Sequence, residues 1–389
     1  MRRHPIAFTL LAVLVVTAIR PLPPLVDAVT GSAPGDVELS RPVLYVMFAP
    51  LSTTLDALTL FSLPRAQWAL AVWALALAAS GAARRGTLRR RIGRALLGPL
   101  ALVVLAGAAL MLPRPVPRLV AADSAATVID YHAHTAASHD GRPGWTPARA
   151  ARWHARQGFE ATYITDHNVV FGGSRINAIP LLPGVEWSVY RQHVIALGPV
   201  EPVVRDSFSG SVARMVRLFD AIGEQGGWSI ASLPEYWRNH QGELGSFVVA
   251  GVEGFEIVNC APKALAFPSA DRTDVVGLAA RHHLLVVGAS DHHGWGQVTC
   301  VWNVSYPEAG FRGNRVFARP LALLQGDSGP WTAAVTQPWF LFRGLAWSER
   351  ASWITWVLVI LLYRAVPRRR GQPAGLGILA RSIEIAPRS

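Results

Sequence analysis

Four apolar runs, separated by clusters of arginine, constrain the fold of this chain more than any other feature of its sequence. The runs cover roughly residues 5–19, 66–83, 95–112 and 351–366. At 15 to 18 residues each, they are somewhat short for a hydrocarbon core about 30 Å thick. The chain is nevertheless 51% hydrophobic and only 16% charged, too few charged side chains to cover a soluble protein. We therefore expect a membrane protein with about four transmembrane helices.

The arginines indicate how these helices are oriented. Basic residues favour the cytoplasmic ends of membrane spans, and 14 arginines stand beside the apolar runs. If the first residues are cytoplasmic, a crossing at each run places the arginine-rich loop 84–94 and the C-terminal tail on that same side. Residues 113–350 then lie outside the cytoplasm. Together with one glutamate, these 14 arginines give the flanks a net charge of +13, whereas the whole chain carries +12. The basic charge therefore belongs to the membrane flanks and not to a nucleic-acid-binding surface, so no nucleic-acid partner is expected.

Composition divides the chain into three regions. Residues 1–122 are predicted to form an N-terminal membrane region with about three transmembrane helices. Residues 331–389 are predicted to form a C-terminal transmembrane helix and a basic cytoplasmic tail. Residues 123–330 contain 11 of the 12 histidines and are expected to form an extracytoplasmic domain. The first run could instead be a cleaved signal peptide, and we interpret residues 42–62 as an interfacial or re-entrant segment.

Short apolar strands alternate with helices in the 123–330 region. Thr146 and Pro147 are typical of a helix start and Gly158 of its end, and residues 211–226 and 271–283 are also predicted helices. This alternation predicts a parallel sheet, closed into a barrel, in which functional residues lie at the carboxyl ends of the strands. The predicted strands are Thr127–Asp130, Ala161–Thr165, Leu181–Val185, His193–Leu197, Trp228–Ala231, Gly254–Val258 and Leu284–Ala289.

Imidazole and carboxylate side chains stand where several of these strands end. Strand one ends in His132 and His134, which face the same way because alternate residues of a strand do, so both can bind one metal ion. Other strands end in Asp166-His167, Glu186, Glu256 and Asp291-His292-His293. Buried unpaired charges are costly, and divalent cations supply the missing charge. The sequence therefore predicts a metal centre.

These residues resemble the motifs of the PHP (polymerase and histidinol phosphatase) domain, in order and spacing, over most of residues 127–297. The motifs are DYHAHT at 130–135, SHDG at 138–141, TDHN at 165–168, PGVE at 183–186, His193 and SDHHG at 290–294. The resemblance implies an α/β fold, a distorted seven-stranded (β/α) barrel, here joined to transmembrane α-helices. It also implies two or three divalent ions (zinc, manganese or iron) and hydrolysis of phosphoesters by a metal-activated water.

The resemblance further implies a ligand set for each ion. By motif position, the ligands are His132, His134, Glu186 and Asp291 for one ion, Asp140 and His167 for a second, and Glu186, His193 and His293 for a third, with Glu186 bridging. His139 is an alternative to Asp140. The family usually has a histidine where Leu233 stands, so the second ion is expected to lack one ligand. Water or His240 would replace that ligand, or the site would be weakly occupied.

Asp166 and Arg175 are predicted to assist catalysis. Asp166 lies beside a ligand, where it would orient an imidazole or merely cap its loop. Arg175 follows the segment 171–174, which contains two glycines, and would contact a phosphate unless the segment is a plain turn. His292 is expected to point away from the site. His154, His282 and His283 fall in predicted helices and are expected at the surface.

Together these features predict a membrane-anchored, metal-dependent phosphoesterase in the cell membrane. Its substrate would be a phosphorylated small molecule, a lipid or an envelope polymer. One alternative is a metallohydrolase of carboxylic ester, amide or carbamate bonds, and another is a catalytically silent metal-binding sensor or scaffold. Cys260 and Cys300 both lie in the extracytoplasmic part, where a disulfide is chemically allowed, although two unrelated thiols fit the sequence equally well.

Overall fold

The computed structural model describes residues 5–176, 179–240, 242–306 and 313–365, and the predicted basic tail lies outside these ranges. The fold is mixed α/β. The helices are α1 Pro5–Ile19, α2 Val43–Met47, α3 Ala49–Thr59, α4 Leu63–Ala83, α5 Leu88–Met111, α6 Pro147–Gln157, α7 Val212–Met215, α8 Arg217–Glu224, α9 Leu233–His240, α10 Leu244–Val249, α11 Ser269–His282, α12 Pro320–Leu324, α13 Ala333–Arg343 and α14 Trp347–Ala365. The strands are β1 Val26–Asp27, β2 Val37–Ser40, β3 Arg118–Ala121, β4 Thr127–Ala133, β5 Ala161–Ile164, β6 Ser174–Ile176, β7 Ile179–Leu182, β8 Gly184–Val189, β9 Gln192–Leu197, β10 Trp228–Ser232, β11 Gly254–Asn259, β12 Leu285–Ala289, β13 Val301–Ser305 and β14 Arg315–Ala318.

Two helices, α4 and α5, are long and apolar enough to cross a membrane. They pack side by side as a hairpin, with Gly81 against the backbone of Arg94 and Gly98 against Leu77. Small residues at such positions allow two helices to approach closely within a bilayer. The prediction of membrane spans at 66–83 and 95–112 is therefore supported by length and composition.

The other two predicted spans are less complete. The first run forms α1, which has only 15 residues. The last run forms α14, which is long and apolar enough for a span only when it is taken together with the preceding helical segment, Pro330–Arg343. The axes of these two segments form a bend of 112°. Within the described ranges, two helices are thus long and apolar enough to span a membrane, or three segments if the bent pair forms one span. Residues 42–62 form the short helices α2 and α3.

The strands form two larger sheets and one pair. The order is β1-β14-β13-β4-β5-β7-β6 in one sheet and β12-β11-β10-β9-β8 in the other, and β2 pairs with β3. Neighbours run parallel in β4-β5-β7 and β10-β11-β12, but β9 is antiparallel to both of its neighbours. Single bridges connect the sheets at Ala133–His292 and His167–Glu186. The expected closed, seven-stranded parallel barrel is not shown by the part of the chain that is described.

One predicted strand, 181–185, is divided between the two sheets. It is interrupted at Pro183, so β7 ends in the first sheet and β8 begins in the second. Proline has no N–H group to donate to a strand ladder. Gly184 follows at a crowded position, where a Cβ atom would lie 3.0 Å from Thr165 Cγ2. The chain therefore changes sheets here, and this change carries Glu186 towards the end of β4.

The predicted helices of the domain are confirmed. Thr146 caps α6 by accepting a hydrogen bond from the backbone of Arg149, and Gly158 ends the helix with a φ of +94°, a conformation that glycine adopts without strain. Residues 211–226 form α7 and α8, and residues 271–283 coincide with α11 to within two residues. Strands β13 and β14, which the sequence pattern did not reveal, extend the first sheet beside β4.

Candidate metal centre

Four side chains from three separate segments converge at the ends of the strands. His132 and His134 project from the end of β4, Glu186 from β8, and Asp291 from the loop after β12. His132 Nε2 lies 2.9 Å from His134 Nε2 and 3.1 Å from Glu186 Oε2. Asp291 Oδ1 lies 3.0 Å from His134 Nε2 and 3.5 Å from His132 Nε2. All four side chains are almost completely buried.

These separations suit a shared metal ion. A tetrahedral zinc ion with bonds of about 2.0–2.1 Å holds its ligand atoms about 3.3–3.4 Å apart. The four donor atoms lie 2.9–3.5 Å apart in the pairs just given. They are also the four residues that the PHP resemblance assigns to one ion. The structure therefore brings this predicted set together.

Unpaired polar atoms in the cluster provide a second test of the fit. Glu186 Oε1, Asp291 Oδ1 and His293 Nε2 are buried and form no hydrogen bond of acceptable geometry. Each nevertheless has an ionisable neighbour at close range. Glu186 Oε1 lies 2.5 Å from His193, Asp291 Oδ1 lies 3.0 Å from His134, and His293 Nε2 lies 3.2 Å from Asp140. Buried polar atoms without partners are costly. Cations bound among these atoms would satisfy them, so the residues present fit a metal centre.

A second group of side chains lies beside the first and is more exposed. Asp140 contacts both His167, at 3.5 Å, and His293, at 3.2 Å. His167 and His193 both contact Glu186, at 3.1 and 2.5 Å. Glu186 thus lies between the two groups, as a bridging ligand would. His293 lies with Asp140 and against the ring of His134, while His193 lies with His167 and Glu186.

Opposite charges in the cluster shift its protonation equilibria. Burial alone would lower the pKa of His132, but the carboxylates of Glu186 and Asp291 raise it well above its usual value. Burial would likewise lower the pKa of His293, but Asp140 and Asp291 raise it to about 9. For Glu186, burial favours the neutral form, yet His193 and His132 hold the pKa well below its usual range. Without metal, the cluster therefore retains protons that a metal ion would displace.

A hydrogen-bond network holds the first ligands in place. Glu256 Oε1 lies 2.8 Å from His132 Nδ1, and its other oxygen accepts hydrogen bonds from Ser232 and Asn259. Asn259 also donates to Asp291 Oδ2 at 3.0 Å. Such contacts fix the orientation of a metal-binding imidazole and raise its basicity. Glu256 was noted at the end of its strand, but the role of Asn259 could not be recognised because its partners are distant in sequence.

Four histidines that are not predicted ligands lie around or away from the cluster. His282 and His283 are exposed, as expected. His292 stacks on Trp153 at 3.7 Å and faces away from the four donors, although it also borders the cavity above them. The expectation for His154 was wrong, because this side chain is fully buried and lies 2.9 Å from Asp130 Oδ2. Asp130 in turn accepts a hydrogen bond from the backbone of Ser290, which steadies the loop that carries Asp291.

The two predicted catalytic residues occupy different places. Both carboxylate oxygens of Asp166 accept hydrogen bonds from Thr135, at 2.6 and 2.7 Å, directly after His134. Asp166 therefore positions the loop after β4 and does not touch an imidazole in the described contacts. Arg175 is exposed on β6 and is not among the residues that line the cavity above the cluster. The structure does not bring Arg175 to the site.

The position of the missing histidine is filled by an apolar side chain. Leu233 is buried in the hydrophobic core at the start of α9. The residues that follow supply polar groups instead. Tyr236 Oη lies 3.2 Å from His193 Nε2. Glu235 lies 4.0 Å from His193 Nδ1 and forms a salt bridge with Lys263 at 2.9 Å. His240, the predicted replacement ligand, has a side chain outside the described part of the structure.

A cavity of about 970 Å³ opens above the second group. Its wall includes the metal-binding candidates Asp140, His167, His193, Asp291 and His293. Arg205 and Lys263 contribute positive charge. Leu110 comes from the C-terminal end of α5, and Leu60 is the residue that follows α3. A substrate in this cavity would reach both groups of predicted ligands.

Cys260 and Cys300 form a disulfide. Cys260 directly follows β11, which carries Glu256 and Asn259, and it lines the cavity. Cys300 directly precedes β13. Of the two interpretations left open by the sequence, the structure selects the covalent bond, which ties the end of β11 to the neighbouring sheet.

Comparison with known proteins gives only distant structural matches. No family model matches the chain, and no curated protein does. One solved structure that matches is a provisionally assigned metal-dependent phosphoesterase from Bifidobacterium adolescentis, with 17% identity and a TM-score of 0.33 over 44% of this chain and 89% of that one. PsfC from Pseudomonas syringae matches with 16% identity and a TM-score of 0.35 over 56% of this chain and 98% of that one. The lesion-specific endonuclease EndoQ from Pyrococcus furiosus matches with 11% identity and a TM-score of 0.34 over 49% of this chain and 57% of that one.

Proposed function

We propose that this chain is a membrane-anchored, metal-dependent phosphoesterase whose metal-binding domain lies outside the cytoplasm. One observation carries the proposal: His132, His134, Glu186 and Asp291 converge within metal-binding distance of one another although they come from three separate segments. Their agreement with the ligand set implied by the PHP resemblance supports phosphoester hydrolysis in particular.

The donor set suits two or three divalent ions, because imidazole and carboxylate ligands accept zinc, manganese and iron. Bound ions would lower the pKa of a water molecule and polarise the phosphoryl oxygens. Asp140, His167 and His293 face the cavity, where a phosphate would contact them through the bound ions. Arg205 and Lys263 line the same cavity and complement an anionic substrate.

Two carboxylates act on the site through other residues. Glu256 holds His132 at 2.8 Å in the orientation that leaves Nε2 free for a ligand bond. Asp166 holds Thr135 and thereby the loop that follows His134. In the proposed enzyme both are positioning residues, and Asp166 retains the supporting role suggested by its place beside His167.

Two features support the proposed location. Disulfides persist in oxidising compartments and are rare in the cytoplasm, and Cys260 and Cys300 are bonded in this domain. The arginine-rich segment 84–94 lies at the far ends of α4 and α5, where the positive-inside rule places the cytoplasm. In the proposed topology, the domain and this segment lie on opposite sides of the membrane.

Turnover of a soluble phosphoester tests the function directly. Full-length protein in detergent, loaded with manganese or zinc, should hydrolyse p-nitrophenyl phosphate. The His134→Ala variant should lose at least about 10³-fold in kcat/KM, since it removes a ligand of the water-activating ion. His282→Ala, which changes an exposed histidine of α11, is the matched control and should retain full activity.

Other outcomes would point to the alternatives. Turnover of carboxylic esters alone would contradict phosphoester chemistry and favour the second class of hydrolase. Tight metal binding without turnover of phosphoesters, carboxylic esters or amides would favour a sensor or scaffold. Equal activity of the His134→Ala variant and the wild type would contradict a metal-dependent site at this cluster.

A further inference from the structure

The cavity above the metal cluster reaches the ends of both full-length membrane helices. The backbone N–H of Gly296 donates to Leu110 O, near the C-terminal end of α5, at 3.1 Å. The N–H of Leu63, the first residue of α4, donates to Pro262 O at 2.7 Å. Gly296, Pro262 and Leu110 all line the cavity. The rim of the cavity is therefore hydrogen-bonded to the two helix ends that face the domain.

The length of α5 places those helix ends near the surface of the bilayer. Its 24 residues extend about 36 Å at 1.5 Å per residue, slightly more than the hydrocarbon thickness of about 30 Å. Its arginines, Arg89 to Arg91 and Arg94, stand in its first two turns, opposite Leu110. If these arginines lie in one headgroup region, Leu110 lies close to the other, and the cavity lies there with it.

The cavity wall has two chemically different sides. Asp140, His167 and His293 form part of its polar side, next to the metal-binding cluster. Leu60, Leu110, Trp295 and Val298 provide an apolar side. Leu110 and Trp295 remain 40% and 46% exposed, and tryptophan is enriched where a membrane meets water. An exposed apolar wall beside a phosphate site serves little purpose for a substrate that is polar throughout.

We infer, on the basis of the proposed function, that the substrate is a lipid phosphoester. Its phosphate lies at the cluster while its hydrocarbon chain follows the wall of Leu110 and Trp295 into the bilayer. The lipid therefore reaches the site without leaving the membrane. In the reaction, water adds to phosphorus, the bond from phosphorus to the departing oxygen breaks, and that oxygen takes up a proton.

Pairs of substrates that differ only in their hydrocarbon portion test this inference. The kcat/KM of metal-loaded, full-length protein in mixed micelles is measured for three pairs, each a lipid and its water-soluble counterpart. The pairs are phosphatidic acid with glycerol 3-phosphate, phosphatidylglycerol with glycerophosphoglycerol, and farnesyl phosphate with isopentenyl phosphate. We expect at least one lipid to exceed its water-soluble partner by 100-fold or more in kcat/KM. The preferred pair identifies a glyceride or a prenyl lipid. Equal or better turnover of the soluble partner in every pair would overturn the inference.

Two variants test the role of the apolar wall. Leu110→Gln and Trp295→Gln should each reduce the ratio of lipid to soluble-substrate kcat/KM about tenfold. Leu112→Gln is the matched control, because Leu112 is also an exposed leucine at the end of α5 but does not line the cavity, and it should leave the ratio unchanged. An unchanged ratio in both wall variants would contradict the proposed path, and metal content confirms that each variant is folded.

The soluble substrate separates this inference from the proposed function. If p-nitrophenyl phosphate is hydrolysed but no lipid is preferred, the phosphoesterase stands and the lipid inference fails. If the metal-loaded protein hydrolyses neither p-nitrophenyl phosphate nor any member of the pairs, the phosphoesterase itself is contradicted and the inference fails with it.

Discussion

The apolar helix α5 and the metal cluster both depart from the pattern of burial in a soluble protein: α5 exposes apolar side chains, and the cluster buries ionisable ones. On α5, Leu100, Val103 and Val104 are 58–68% exposed. In the cluster, His132, His134 and Glu186 are at most 1% exposed. Soluble proteins bury the first kind of residue and expose the second.

We propose that each region is completed by a partner that is not part of the chain. Exposed leucine and valine side chains are favourable when the surrounding solvent is hydrocarbon. Buried carboxylates and imidazoles are favourable when cations offset the cost of removing them from water. Lipid and metal ions are thus expected to stabilise the two regions independently.

The largest expected effect concerns the lipid side of the comparison and is all-or-none. Alkaline phosphatase, which is active only outside the cytoplasm, should be inactive when fused after Gly86 and active when fused after Asp123. The reason is that, in the proposed topology, α5 carries the chain across the bilayer between these positions. A cytoplasm-active reporter at the same sites is the control and should give the reverse pattern. Phosphatase activity at Gly86 would overturn the orientation.

The second prediction concerns the metal side. Glu186→Gln should reduce bound metal by at least one ion per chain and lower kcat/KM by at least about 10³-fold, because Glu186 contacts imidazoles of both groups. Mass spectrometry of the purified protein measures the metal. Glu224→Gln, an exposed glutamate at the end of α8, is the control. Full metal content in Glu186→Gln would contradict the shared centre.

The same substitution made on α5 and in the hydrophobic core of the domain gives a third, intermediate effect. Leu218→Ala in α8 removes a fully buried side chain and should cost about 2–5 kcal/mol of unfolding free energy. Leu100→Ala on α5 removes an exposed one, and its cost should stay within about 0.5 kcal/mol. Thermal unfolding in detergent compares the two. A larger loss for Leu100→Ala would mean that this face of α5 packs against protein and not lipid.

The last prediction concerns the pH dependence of metal binding, an effect that is graded and requires no substitution. Without metal, the pKa of His293 is about 9 and that of His132 is well above its usual value. At pH 7 both retain a proton that a metal must displace. Apparent affinity should therefore rise with pH, about tenfold per unit for each displaced proton, until the pH passes the raised pKa.

Competition with a metal indicator at pH 6.5, 7.5 and 8.5 measures this slope. Calorimetry in buffers of different ionisation enthalpy provides the control, because it counts the released protons. An affinity that is constant over this range would show that the imidazoles are already neutral before the metal binds.

Local patterns predicted most elements of the domain but not their arrangement. Thr146 and Gly158 delimit α6 because capping depends on neighbouring residues alone. The division of the 181–185 strand between two sheets depends instead on distant partners, because Leu181 pairs with Thr162 of β5 whereas Gly184 pairs with Leu197 of β9. The antiparallel course of β9 and the addition of β13 and β14 likewise follow from pairing between distant segments.

The site shows the same division. The spacing of His132 and His134 predicts a shared face, because alternate residues on a strand project the same way. The burial of His154 was not predicted, since it depends on Asp130 opposite to it. The exclusion of Arg175 from the cavity follows from the placement of β6 at the edge of its sheet.

By itself, the sequence determined that the chain contains helices apolar enough for a membrane and a domain rich in metal-binding side chains, because composition and spacing are local properties. Only the tertiary structure decided that those side chains meet, that Cys260 and Cys300 are bonded, and that the cavity adjoins Leu63 and Leu110. These facts depend on which distant segments pack together, and packing minimises the free energy of the whole chain at once.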